Sequence, residues 1–163
     1  MTEPSPAVTV AHPPHLMLRT VNPILRFLLR TPIPGSARKH FMVVTVPGRK
    51  TGRQYAIPLT AHRIDNNLYA MTDAVWKHNF RGGATAEVLH DGQTTTMRGE
   101  LIEDPAAVAD LFRRCAESYG ARSAQRLMGL KFREQRIPTL AEFTEAVGRE
   151  HLAAIRLTPA TPS

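Results

Sequence analysis

An α+β domain built on an antiparallel barrel or sheet is the fold class the sequence predicts. Strand-like runs are grouped in the middle of the chain, and helix-like runs lie at its periphery. At 163 residues, the chain fits a single domain that can bury a real core without disulfides or a structural metal. No internal repeat competes with this reading.

The opening stretch MTEPSPAVTVAHPPH is rich in proline and lacks both a basic n-region and an apolar h-region. It reads as a disordered tail over residues 1–14 and not as a secretion signal. From His15 to Arg30, HLMLRTVNPILRFLLR places Arg19, Arg26 and Arg30 on one helical face, with Met17, Val21, Ile24 and Leu28 opposite. This predicts a cationic amphipathic helix, interrupted at Pro23 or restarted there with Asn22 as its cap. Packing on the domain's own core and a peripheral contact with a membrane surface or partner both fit such a helix. TPIPG ends it.

At Phe41 the pattern changes. FMVVTV is β-branched and apolar, RQYAIPLTAHRI alternates, and LYAMT follows the turn-forming Asp65, Asn66 and Asn67. TAEVLH and QTTTMRGELIE flank Asp91-Gly92, a strong hairpin signal. Asp104-Pro105 starts a helix with Val108, Leu111, Phe112 and Cys115 on its apolar face. A helical segment around Ala121 to Lys131 follows. Thr139 and Glu142 have capping-box spacing and open a last helix to about Gly148, after which HLAAIRL reads as a closing strand. The domain therefore spans residues 15–158, with a short tail over 159–163.

Twenty-one basic against fourteen acidic residues give a formal charge of +7. An anionic partner is implied, whether nucleic acid, membrane surface or phosphorylated small molecule. Nucleic acid is disfavoured because no aromatic interleaving or reader motif accompanies the charge. Cys115 is the only cysteine, which excludes an internal disulfide and any cysteine-based zinc site and fits a cytoplasmic location. The seven histidines show no compact ligand spacing, so no metal is expected. No nucleophile elbow or Ser-His-Asp arrangement is visible, and no catalytic side chain is assigned. His62 and His78 lie near the motif segments, and Tyr69 and Tyr119 are of a type that can donate a proton. No later apolar run is long enough to span a bilayer.

The densest chemistry lies in VPGRKTGRQYAIPL, where Arg49, Lys50 and Arg53 crowd a turn between two strand-like runs. A phosphate-binding P-loop would continue into a helix, whereas this turn continues into β-like residues and a proline. Backbone amides and cations at such a hairpin tip form an anion-binding concavity. Charges that merely solvate a hairpin end are the plainer reading of the turn taken alone. VWKHNFRGG follows about twenty residues later with the only tryptophan, Trp76, then Asn79, Arg81 and a Gly82-Gly83 pair. Trp76 and Asn79, three apart, share a face on a short helix.

Together these segments resemble the deazaflavin-dependent nitroreductase family of the split β-barrel flavin and deazaflavin oxidoreductases. The resemblance runs from about Asn22 to Asp104 and includes NPILRFLLRTPIPG before the barrel and GELIEDP at its end. Tyr55 stands where the best-known branch has an arginine, so Arg53 takes part of that role or the ligand pose differs. The resemblance implies an FMN-binding-like split β-barrel with an N-terminal amphipathic helix and C-terminal helices. It also implies bound coenzyme F420, an 8-hydroxy-5-deazaflavin with a phosphate and an oligoglutamate tail, as a two-electron hydride donor to a quinone, enone or nitro compound. FMN is the alternative cofactor, and a non-catalytic carrier or sensor of a deazaflavin, FMN or other anionic ligand is the alternative function.

Carried onto this sequence, Arg49, Lys50, Thr51 and Gly52 receive the phosphate. Arg53, with Arg38 and Lys39, faces the carboxylate tail, and Tyr55 is a further cofactor-binding position. Ile57, Pro58 and Met71 wall an apolar slot for the ring, Thr72 is a further cofactor-binding position, and Trp76, Asn79, Arg81 and Gly82 complete the site. The resemblance implies a small-molecule electron acceptor. The sequence leaves a monomer and a homodimer equally open.

Overall fold

The computed structural model describes residues 6–10, 39–47 and 54–160. The predicted helix over residues 15–30 and the hairpin tip over residues 48–53 lie outside the described residues. Seven antiparallel strands form the main sheet: β2 (Phe41–Pro47), β3 (Gln54–Thr60), β4 (His62–Ile64), β5 (Asn67–Thr72), β6 (Ala84–His90), β7 (Gln93–Ile102) and β9 (Ala153–Pro159). Their order across the sheet is β3-β2-β6-β7-β9-β5-β4. β3 and β4 thus occupy opposite edges, yet Ala61 alone separates them in the chain. A sheet whose two edges are consecutive pieces of one run has to roll up, and this one curls into a half-barrel. The Ala61 N–H donates to the His40 carbonyl at 2.8 Å, fixing the corner to the start of β2.

Period-two alternation decides what each face buries. Met42, Val44 and Val46 of β2, Leu68 and Ala70 of β5, Val88 of β6, and Ile155 and Leu157 of β9 point into the roll. Each fully buried Val, Leu or Ile side chain contributes roughly 1.5–3 kcal/mol, so this interior is a main source of stability. Tyr69 and Ala154 face the opposite way, onto the helices.

Both predicted hairpin turns form as expected from their residues. Asp65 and Asn66 have φ of 50° and 67°, and Asp91 and Gly92 have 52° and 80°, the pair of positive values that a two-residue type I′ turn requires. Asn67 belongs to β5 and not to the turn, because the two-residue turn is already complete.

Helix α1 (Pro105–Tyr119) opens with the Asp104 carboxylate accepting from the Ala107 N–H at 3.1 Å. α2 (Ala121–Met128) stops at Gly129, whose φ of 66° lies in the left-handed region. α3 (Leu140–Glu150) carries the complete Thr139–Glu142 capping box. It extends two residues beyond Gly148 and ends at His151 with φ of 56°. α1 and α3 pack together through Val108, Phe112, Phe143 and Val147.

Two stretches differ from their sequence expectation. Residues 8–10, placed in a disordered tail, form β1 (Val8–Val10), which pairs with β8 (Leu130–Phe132). Val8 is buried among Phe132, Phe143 and Val147, and the Arg149 guanidinium donates to its carbonyl at 2.5 Å. A proline-rich context says nothing of this long-range pairing. The helix expected to reach Lys131 ends at Met128, because Gly129 turns the chain into β8. No described helix is long and apolar enough to cross a membrane.

Candidate functional site

The Trp-x-x-Asn motif lies on a 3₁₀ segment, Val75–Phe80, between β5 and β6. Thr72 Oγ1 accepts from the Ala74 N–H at 3.0 Å and turns the chain out of β5. N–H groups of Lys77, Arg81 and Gly83 then bond to carbonyls three residues back, those of Ala74, His78 and Phe80. In a 3₁₀ helix, residues i and i+3 eclipse, so Asn79 lies directly over Trp76. Asn79 Nδ2 donates to the Trp76 carbonyl at 2.9 Å. Asn79 Oδ1 is buried and has no donor among the described residues. A buried acceptor left unpaired costs about 1–3 kcal/mol, so the position is poor for stability alone.

Phe80 anchors the segment. It is fully buried in the half-barrel interior, and Trp76 meets it edge-on at 6.2 Å between ring centroids. Gly99 of β7 makes room for it, since a Cβ there would lie 2.4 Å from Phe80 Cδ1. Gly82 and Gly83 have φ of 79° and 91°. A Cβ on Gly83 would stand 2.2 Å from an Arg98 guanidinium nitrogen, so that glycine is covered, whereas Gly82 faces open space.

The charges around the segment are held individually. Arg81 is exposed and donates to Glu103 at 3.1 Å, with His78 Nδ1 3.0 Å away. Lys77 is only 6% exposed. Its ammonium donates to the His151 carbonyl at 2.6 Å and to the Asp73 carbonyl at 3.4 Å. Burial lowers its pKa; Asp73 and Glu103 oppose that shift, and Arg81 adds to it.

The other predicted residues are spread by strand alternation. Ile57 faces the half-barrel interior that Trp76 also packs against, while Pro58, its neighbour, is exposed on the other face. Met71 points to the helices, beside Tyr69 and Cys115. Ile57, Pro58 and Met71 therefore line no common slot among the described residues. The backbone of Tyr55 pairs with Val46. Arg49, Lys50, Thr51, Gly52 and Arg53 lie outside the described residues. Among the described residues, no group of three or more His, Cys, Asp and Glu is placed to hold a metal ion.

A second polar cluster joins residues the sequence offered only singly. His62 Nδ1 lies 2.8 Å from Tyr119 Oη and 3.3 Å from Cys115 Sγ. Burial pushes His62 down to about 4, with His40 adding to the shift, and pushes the Cys115 thiol up to about 12. Tyr119 is also raised, first by burial and then by Cys115. All three are neutral at pH 7, so Cys115 offers no thiolate nucleophile. Cys115 and Tyr119 are four apart on α1, which the sequence shows; their meeting with His62, more than fifty residues away, it does not. Tyr69, the other tyrosine considered, is buried, and its hydroxyl oxygen accepts from Arg156 Nε at 3.1 Å.

No protein-family model matches the chain, and no curated protein matches it. Among solved structures, it is similar to a conserved hypothetical protein, Rv2991, from Mycobacterium tuberculosis. That likeness has 13% identity, a TM-score of 0.45 and coverage of 89% of this chain and 83% of the other. A second likeness is to a structure described as an F420 reductase, with 11% identity, a TM-score of 0.41 and coverage of 80% and 97%.

Proposed function

We propose that this protein is an oxidoreductase with a split β-barrel fold. On this reading it binds reduced coenzyme F420 and delivers hydride to an electron-poor small molecule such as a quinone, enone or nitro compound. The observation that carries the reading is Asn79 Oδ1, a buried acceptor without a donor among the described residues, on the same 3₁₀ segment as the indole of Trp76. A planar heterocycle with N–H or O–H groups would satisfy that oxygen and stack or pack against the adjacent aromatic side chain. The motif resemblance supplies the identity of the heterocycle.

The deazaflavin, when bound, supplies the hydride chemistry. The chain's own residues bind and orient. Asn79 accepts a hydrogen bond at Oδ1, and Phe80 keeps its segment seated in the barrel. The exposed Arg81–Glu103 pair is weakly held and can yield the guanidinium to a phosphate or carboxylate at little cost. Arg49, Lys50 and Arg53 carry the anionic end of the ligand in this proposal.

Fluorescence titration of the purified protein with coenzyme F420 and, separately, FMN tests the assignment. Tighter binding of the deazaflavin is expected, because its carboxylate tail gives the additional cations a partner. Replacing Lys50 and Arg53 with alanine should weaken that binding at least tenfold and flatten its salt dependence, since each charge-assisted bond contributes about 1.5–3 kcal/mol. Equal or tighter FMN binding would remove the cofactor assignment. Binding without reduction of any member of a quinone, enone and nitro panel would leave a carrier or sensor in its place.

A further inference from the structure

We propose that Lys77 is the positioning residue of the candidate site: its ammonium caps the C-terminal end of α3 and so fixes the 3₁₀ segment that carries Trp76 and Asn79.

An ammonium removed from water normally requires a carboxylate partner, because the desolvation cost is several kcal/mol. Among the described residues, none lies within ion-pair distance of Lys77. Its two acceptors are main-chain carbonyls, and the closer belongs to His151, the residue that ends α3 in a left-handed conformation. The C-terminus of a helix carries partial negative charge from carbonyls that no longer have intrahelical partners. The helix end therefore supplies the direct contact that a carboxylate would otherwise make, while Asp73 and Glu103 attract the ammonium from farther away.

The location gives this contact its consequence. Thr72 and Ala153 are the terminal pair of the β5–β9 ladder, after which the two chains diverge. Lys77 reaches back across the divergence to His151, two residues before Ala153, and to Asp73, one residue after Thr72. Its side chain closes the loop that the ladder leaves open. Trp76 precedes Lys77 directly, and the Asn79 amide hangs from the Trp76 carbonyl. Without the Lys77 contacts, the segment keeps Phe80 and Trp76 packed on the interior, the Thr72–Ala74 bond, its i→i+3 bonds and the exposed Arg81–Glu103 pair, but loses its tie to the end of α3. The titratable and charged groups facing the ammonium are Asp73, Glu103 and Arg81, and the His151 side chain belongs to the capped residue itself.

The positioning role does not depend on which ligand the site takes; only its effect on ligand binding rests on the function proposed above. Trp76 is the chain's sole tryptophan, so its emission reports this segment in the ligand-free protein. Lys77→Met removes the charge while keeping the side-chain length, and Lys77→Gln keeps a donor without charge. In the wild type, emission is expected to shift on alkalinisation below the ordinary lysine range. The Met variant should show the shifted emission already at pH 7, without that alkaline step, and bind coenzyme F420 at least tenfold more weakly. Gln should fall between the two. Wild-type emission with an unchanged alkaline step in the Met variant would overturn the proposal. If the Met variant does not fold, the wild-type profile and the Gln variant decide, and a flat wild-type profile below the ordinary lysine range overturns it. If wild-type protein fails to bind coenzyme F420, the proposed function falls, while the emission measurements still judge Lys77.

Discussion

The corner where β4 meets α1 and the 3₁₀ segment beyond the far end of β5 both bury polar side chains, but only the first closes its hydrogen bonds. At the corner, His62, Tyr119 and Cys115 satisfy one another as neutral groups, and Arg114 pairs with Asp65 across the same junction. On the 3₁₀ segment a cation rests on carbonyls and an amide oxygen has no donor among the described residues. A satisfied neutral cluster specifies how helix and sheet meet; an unsatisfied one keeps binding capacity at the expense of stability. Substitutions in the two regions should therefore separate stability from binding.

Removing the anchor of the 3₁₀ segment should have the largest effect. Phe80→Ala empties a fully buried site and is expected to cost about 3–5 kcal/mol in denaturant unfolding. A loss below about 1 kcal/mol would mean that the segment is not seated as described.

Acid should attack the corner next. The folded-state value of His62 is about 4 against an ordinary 6.5, so between these values the unfolded chain binds the extra proton. Stability is unaffected by this group above pH 6.5 and falls as pH drops from 6.5 toward 4. The full loss is about 3 kcal/mol. Unfolding followed across this window should show the slope, and His62→Gln should flatten it. The same slope in the variant would assign it to other groups.

A matched pair of smaller changes sharpens the contrast. Tyr119→Phe deletes a satisfied partner and should cost about 1–3 kcal/mol. Asn79→Leu deletes both a made bond and an orphan acceptor, so its stability should stay within about 1 kcal/mol of wild type while coenzyme binding falls at least tenfold. Equal stability losses in the two variants, with binding retained in Asn79→Leu, would erase the distinction between the regions. The smallest effect, about 1 kcal/mol, is expected for Thr139→Ala at the α3 cap, remote from both clusters. Thermal unfolding measures it.

Several elements are legible in the sequence because local chemistry specifies them. Asp65-Asn66 and Asp91-Gly92 dictate their own turns, since few residues tolerate two successive positive φ values. Asp104-Pro105 and Thr139 with Glu142 specify helix starts, since each satisfies orphan N–H groups with atoms three residues apart. The 3₁₀ pairing of Trp76 with Asn79 follows from their spacing for the same reason.

Features that depend on distant residues are not legible in this way. Val8–Val10 form a strand only because β8 offers an edge, and a proline-rich context conceals them. Ile57 and Pro58 are adjacent in sequence yet on opposite faces, so a shared apolar character could not place both in one slot. No local pattern singles out Lys77, whose ammonium lies 2.6 Å from the His151 carbonyl at the end of α3. By itself the sequence determined turns, caps, helix faces and the α+β class, because these arise from interactions spanning a few residues. Only the tertiary structure decided that β3 and β4 take opposite edges of the curled sheet, that His62 meets Tyr119 and that Lys77 is buried. Those contacts join residues dozens of positions apart, and their energies exist only once the sheet has curled and the helices have docked.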